Sequence, residues 1–134
     1  MGFSEFNFIA ILIAAASAFA IGGLWYSQLL FGKQWMAETG MTAEKAGQAD
    51  MKKVMGGAFA LNFLAALVFA MFLGPAPKLL FATGAGFAAG AFWVATSLGV
   101  QYLFEQRSLK LFLINGGYVT LQFTVFGLIL GLVH

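Results

Sequence analysis

Four long apolar runs, separated by short polar or proline-containing links, set the frame of this chain. They lie at about 6–31, 54–73, 79–104 and 109–133, and each has room for the roughly 20 residues that carry an α-helix across the hydrocarbon core of a bilayer. The pattern predicts an all-α membrane protein: one domain over 1–134, with four transmembrane helices in two antiparallel hairpins. The link Gly74-Pro75-Ala76-Pro77 ends the second run abruptly, since the residue before a proline is driven out of helical conformation. A short charged turn, Glu105-Gln106-Arg107-Ser108, divides the third run from the fourth.

The link 32–53 is long enough to hold structure of its own. Thr42-Ala43-Glu44 provides a cap and an acid for a first helical turn, and a short helix lying on the membrane surface is expected there. Its apolar positions, Met41, Met51 and Met55, make a weak stripe. Trp25, Tyr26 and Trp35 read as an interfacial aromatic belt.

Small residues recur at the spacing that lets helix backbones approach closely in lipid. Ala16 with Ala20, and Ala18 with Gly22, do so in the first run. The third run carries two ridges, Gly84-Ala88-Ala91-Ala95-Gly99 and Gly86-Gly90-Trp93-Ser97-Gln101, which predicts that this helix is approached from both sides and is central. Gly86, Gly90, Ala95 and Gly99, with Gly127 and Gly131 of the fourth run, are the expected packing positions. An internal repeat is also suggested: Gly56-Gly57-Ala58-Phe59-Ala60-Leu61-Asn62-Phe63 parallels Gly116-Gly117-Tyr118-Val119-Thr120-Leu121-Gln122-Phe123.

Composition agrees with a membrane chain. Hydrophobic residues make up 61% of the 134 and charged residues only 9%, against about a quarter charged in soluble domains. The formal charge of +2 is small but one-sided. Lys33, Lys45, Lys52, Lys53, Arg107 and Lys110 fall on one side of a four-helix path and Lys78 alone on the other. Positively charged short loops stay cytoplasmic, so the expected orientation has the link 32–53 inside and both termini periplasmic. Met1 to Glu5 carries no Lys or Arg, so the first run is expected to be a retained helix rather than a signal peptide. Phe6 stands where a myristoylation motif beginning at Gly2 needs Ser or Thr. Lys52, Lys53, Arg107 and Lys110 are candidate contacts for anionic lipid. Nucleic-acid binding has no support, because the basic residues are spread over short loops.

The chemistry open to the chain is narrow. There is no cysteine, and the one histidine is His134, so disulfides, thiolate metal sites and an imidazole base within a span are excluded, and no cofactor is expected. No Asp, Glu, Lys, Arg or His lies well inside a run, which argues against proton relays, voltage sensing and enzymatic acid–base work. The candidate polar cluster is Asn62, Trp93, Ser97, Gln101, Asn115, Tyr118 and Gln122. Counted from the 105–110 turn at 1.5 Å per residue, Gln101 and Asn115 lie about 6 Å deep, Ser97 and Tyr118 about 12 Å, and Trp93 and Gln122 about 18 Å. Such groups either bond helix to helix, at about 0.6 kcal/mol each on average, or line a pocket with Trp93 as its apolar wall.

Trp25-Tyr26-Ser27-Gln28-Leu29-Leu30-Phe31-Gly32-Lys33-Gln34-Trp35-Met36, Thr39-Gly40-Met41-Thr42 and the stretch from Tyr102-Leu103-Phe104-Glu105-Gln106-Arg107 through Asn115-Gly116-Gly117-Tyr118 resemble the small bacterial membrane proteins of Domain of Unknown Function 1761. The resemblance covers nearly the full chain and implies a bacterial four-helix inner-membrane protein, with no activity attached. The function expected is that of a structural or accessory subunit acting by helix packing among membrane lipids, as a homo-oligomer or within a larger membrane complex. The alternative is a small oligomeric transporter or channel for a neutral or lipid-like solute.

Overall fold

A computed structural model of the chain describes residues 7–133; Met1 to Phe6 and His134, with the readings attached to them above, lie outside the described residues. The elements are α1 (Phe8–Trp25), α2 (Gly32–Thr39), α3 (Ala43–Gly47), α4 (Met51–Leu73), α5 (Leu79–Ala89), a π-helical turn (Gly90–Val94), α6 (Ala95–Glu105) and α7 (Leu109–Leu132). α5, the π turn and α6 run on as one helix, the third span. Among the described residues four helices are therefore long and apolar enough to cross a membrane: α1, α4, the third span and α7.

Local chemistry sets the ends. Asn7 accepts from the Ile9 and Ala10 amides at 3.0 and 3.1 Å and starts α1, Asp50 caps α4 through Lys53 N–H, and Ser108 caps α7 through Leu111 N–H. These caps satisfy amides that a helix start leaves without partners. Gly74, at φ 84°, closes α4 just before Pro75, and Gln106, at φ 59°, turns the chain from α6 toward α7.

Two expectations are corrected here. The first helix stops at Trp25 rather than reaching Phe31, because Ser27 to Gly32 turn back on themselves, with Phe31 N–H donating to the Trp25 carbonyl and Gly32 N–H to that of Ser27. Gly32 is required at this turn, since a Cβ there would run into the Tyr26 carbonyl. The central helix is α7, not the third span: α7 packs along the third span, against α1 and against α2. α4 packs chiefly on α1. The apolar core lies where α1, α4 and α7 meet, around Ile11, Ala14, Phe69 and Phe126.

The seam between the third span and α7 is made of glycines. A Cβ on Gly86 would overlap the Phe123 carbonyl and one on Gly127 the Ala82 carbonyl. At Gly90 it would stand 2.7 Å from Thr120 Cα, and at Gly131 2.9 Å from Leu79 Cα. Helices in lipid gain no hydrophobic drive from association, so this backbone-to-backbone approach supplies the packing.

A tyrosine and asparagine network at the basic end

Call the end of the bundle carrying α2, α3 and the 106–108 turn its basic end, since six of the seven Lys and Arg lie there. Just inside it, the three tyrosines of the chain gather on α7. Tyr26, at the end of α1, donates its hydroxyl to Asn115 Oδ1 at 2.6 Å, and Asn115 Nδ2 donates to the Tyr102 hydroxyl of α6 at 2.8 Å. Tyr118, one turn deeper, donates to the Ala18 carbonyl at 2.9 Å and sets its ring edge-on to Tyr26 with centroids 5.3 Å apart. Trp25 donates to the Ile114 carbonyl at 2.9 Å, and Trp35 of α2 meets the Tyr26 ring at 5.8 Å. Deeper still, the Gln122 amide bonds across the bundle: its Nε2 donates to Asn62 Oδ1 of α4 at 2.5 Å.

Of the seven expected members of the polar cluster, four are engaged across helices: Asn62, Asn115, Tyr118 and Gln122. The structure does not bring in the other three. Trp93 is 64% exposed and touches Phe72 of α4 at its edge, so it walls no pocket. Ser97 is exposed and returns its hydroxyl to the Trp93 carbonyl of its own helix at 2.7 Å, and Gln101 is exposed. The π turn explains the failure. Ala95 N–H donates to the Gly90 carbonyl, five residues back, which inserts one residue into the helical phase. The face that packs on α7 therefore passes from Gly86 and Gly90 to Ala95 and Gly99, joining halves of the two ridges read from the sequence. Trp93, Ser97 and Gln101 are rotated outward, and Tyr102 takes the place expected for Gln101.

Tyr26, Trp25, Trp35 and Tyr102 are the residues sequence reasoning missed. The first three read as an interfacial belt because aromatic residues near a span end usually are one. In the structure Trp25 and Tyr26 turn inward onto α7, and Trp35 packs edge-on against the Tyr26 ring.

Two hollows flank Tyr102. A cleft of about 700 Å³ is lined by Tyr26, Trp35, Met55, Tyr102, Asn115 and Tyr118 with their apolar neighbours, between α2, α4, α6 and α7. A groove of about 410 Å³ on the other side runs between α6 and α7, past Gly99, Leu103 and Phe112 to Arg107. Arg107 donates through Nε to Glu105 at 2.7 Å, and this carboxylate raises the guanidinium pKa above its ordinary value, so it stays a cation. Lys52, Lys53 and Lys110 are exposed at the starts of α4 and α7. Ser108 donates its hydroxyl to Glu38, tying α2 to the turn before α7. Among the described residues no group of His, Cys, Asp or Glu is placed to hold a metal ion.

A family model described as a protein of unknown function, DUF1761, matches residues 9–131. The chain belongs to the DUF1761 family. The match takes in α1 from its second residue and all but the last residue of α7, so the network and both hollows lie within the DUF1761 region. Neither a curated protein nor a solved structure matches the chain.

Proposed function

We propose that this DUF1761 chain is a non-catalytic bacterial inner-membrane protein that works by helix packing, as a structural or accessory subunit of a homo-oligomer or a larger membrane complex. The basic end faces the cytoplasm in this reading and both termini the periplasm, supported by the six-to-one division of Lys and Arg. Lys52, Lys53, Arg107 and Lys110 then meet the anionic headgroups of that leaflet. Two antiparallel hairpins born of a tandem duplication belong to the same reading, supported by Asn62 and Gln122, which occupy corresponding positions and bond to each other.

The observation that carries the packing role is a set of small-residue pairs left uncovered. Ala16 and Ala20 on α1, Gly56 and Ala60 on α4, and Gly84 and Ala88 on α5 are all exposed, and nothing stands within 4 Å of a Cβ built on Gly56 or Gly84. Pairs spaced four apart are the means by which membrane helices dock closely. Asn62, Asn115, Tyr118 and Gln122 are meanwhile engaged across helices within the chain. Mass measurement of the particle extracted in mild detergent from its own membranes, with its co-purifying proteins, tests this. A homo-oligomer or a stable complex is expected; a monomer without companions would overturn it.

A second reading, binding of a neutral or lipid-like solute, is favoured by the cleft at Tyr26, Asn115 and Tyr118, whose volume lies within the ~300–1,000 Å³ of small-molecule sites.

A further inference from the structure

The network on Asn115 has one donor too many. An amide between two phenols accepts from one hydroxyl and donates to the other, as Oδ1 does from Tyr26 and Nδ2 to Tyr102. The hydroxyl that accepts keeps its own proton unused. Turning the amide over moves that unused proton from Tyr102 to Tyr26 but does not remove it. Both hydroxyl-bearing rings line the same cleft. In either state the cleft is therefore offered one phenolic donor from a half-buried position.

The rest of the lining narrows what accepts it. Among the described residues no charged side chain lines the cleft, and its walls are the rings of Tyr26, Trp35, Tyr102 and Tyr118 together with apolar side chains such as Met36 and Leu98. A charged ligand would lose its hydration there without a counter-charge. Flat rings find edge and face partners on such walls, whereas an acyl chain gains only dispersion. Val54 and Met55 of α4 and Leu98 and Tyr102 of α6 line the cleft without the two helices packing closely on each other, which leaves it open between them.

We propose that the cleft holds a planar, uncharged, lipid-soluble carbonyl compound of the quinone class, its ring among Tyr26, Trp35 and Tyr102 and one carbonyl oxygen accepting the spare phenolic proton. This rests on the solute-binding reading and names its ligand class. No redox step is implied.

The test uses the full chain in nanodiscs, a benzoquinone with a short isoprenoid tail as probe, and quenching of tryptophan fluorescence, since Trp35 lines the cleft. Saturable quenching is expected, and a tail-matched benzene lacking the carbonyls should bind about tenfold or more weakly. The double variant Tyr26→Phe/Tyr102→Phe keeps both rings and should lose about tenfold in affinity, while Tyr118→Phe, whose hydroxyl is committed to Ala18, should change it by less than about threefold. Thermal unfolding of each variant shows that the fold is retained. Equal binding of the carbonyl-free analogue, or displacement of the quinone by phospholipid at matched concentration, would overturn the quinone assignment and leave a lipid-like solute in the cleft. Absence of saturable quenching by quinone and of bound phospholipid alike would overturn the solute-binding reading as well.

Discussion

Glycines in this chain do opposite work at neighbouring positions. Gly127 lies against the Ala82 backbone, whereas Gly84 of α5 has open space around it. Gly127→Ala forces two backbones apart and is expected to destabilise the bundle by about 1–3 kcal/mol, the usual cost of overpacking. Gly84→Ala adds helix propensity without a clash and is expected to stabilise the isolated chain by about 0.5–1 kcal/mol. Unfolding of the two variants in detergent checks the contrast. Spacing alone made both glycines look alike. The pairing of Asn62 with Gln122 was legible as two amides at related places, but not the inward turn of Tyr26 and Trp25, which depends on the chain doubling back at Gly32.

At the scale of elements, the π turn decides which residues of the third span reach α7. Its loosened carbonyls are taken up by local hydroxyls: Thr96 donates to the Phe92 carbonyl at 2.6 Å and Ser97 to that of Trp93 at 2.7 Å. A π turn is one residue added to an α-helix, so both flanks keep a common phase on either side of it. Deleting Phe92 should therefore close the turn to α-helix and leave Gly86, Gly90 and Ala95 facing α7. Deleting Leu98 should rotate the rest of α6 by about 100°, one residue's turn, and remove Tyr102 from Asn115. The expected result is a folded chain for the first deletion and a clear loss of thermal stability for the second. Equal loss for both would refute the phase argument. Sequence periodicity assumes an unbroken 3.6-residue phase, so the four spans and their small-residue ridges were legible while the splice between ridges was not.

In the whole molecule, α7 is the axis and α4 the least attached span. α7 carries the glycine seam on one side and the tyrosine network on another, and α1 joins it to α4. The third span looked central from its two small-residue faces; only half of each is used inside the chain, Gly86 and Gly90 from one and Ala95 and Gly99 from the other, and Gly84 and Ala88 are left on the outside. The sequence holds no cysteine, so cross-links from single introduced cysteines report one position each. A disulfide needs Cα atoms within about 7 Å, which only close helix contact provides. The most direct measurement is oxidative cross-linking in native membranes of Ala20→Cys, Gly56→Cys and Gly84→Cys, with the exposed Leu113→Cys as control. Covalent dimers, or adducts with one recurrent partner, are expected at one or more of the small-residue positions and not at Leu113. Uncross-linked chain at all three, or equal cross-linking at Leu113, would contradict a protein that works by packing its helices against others.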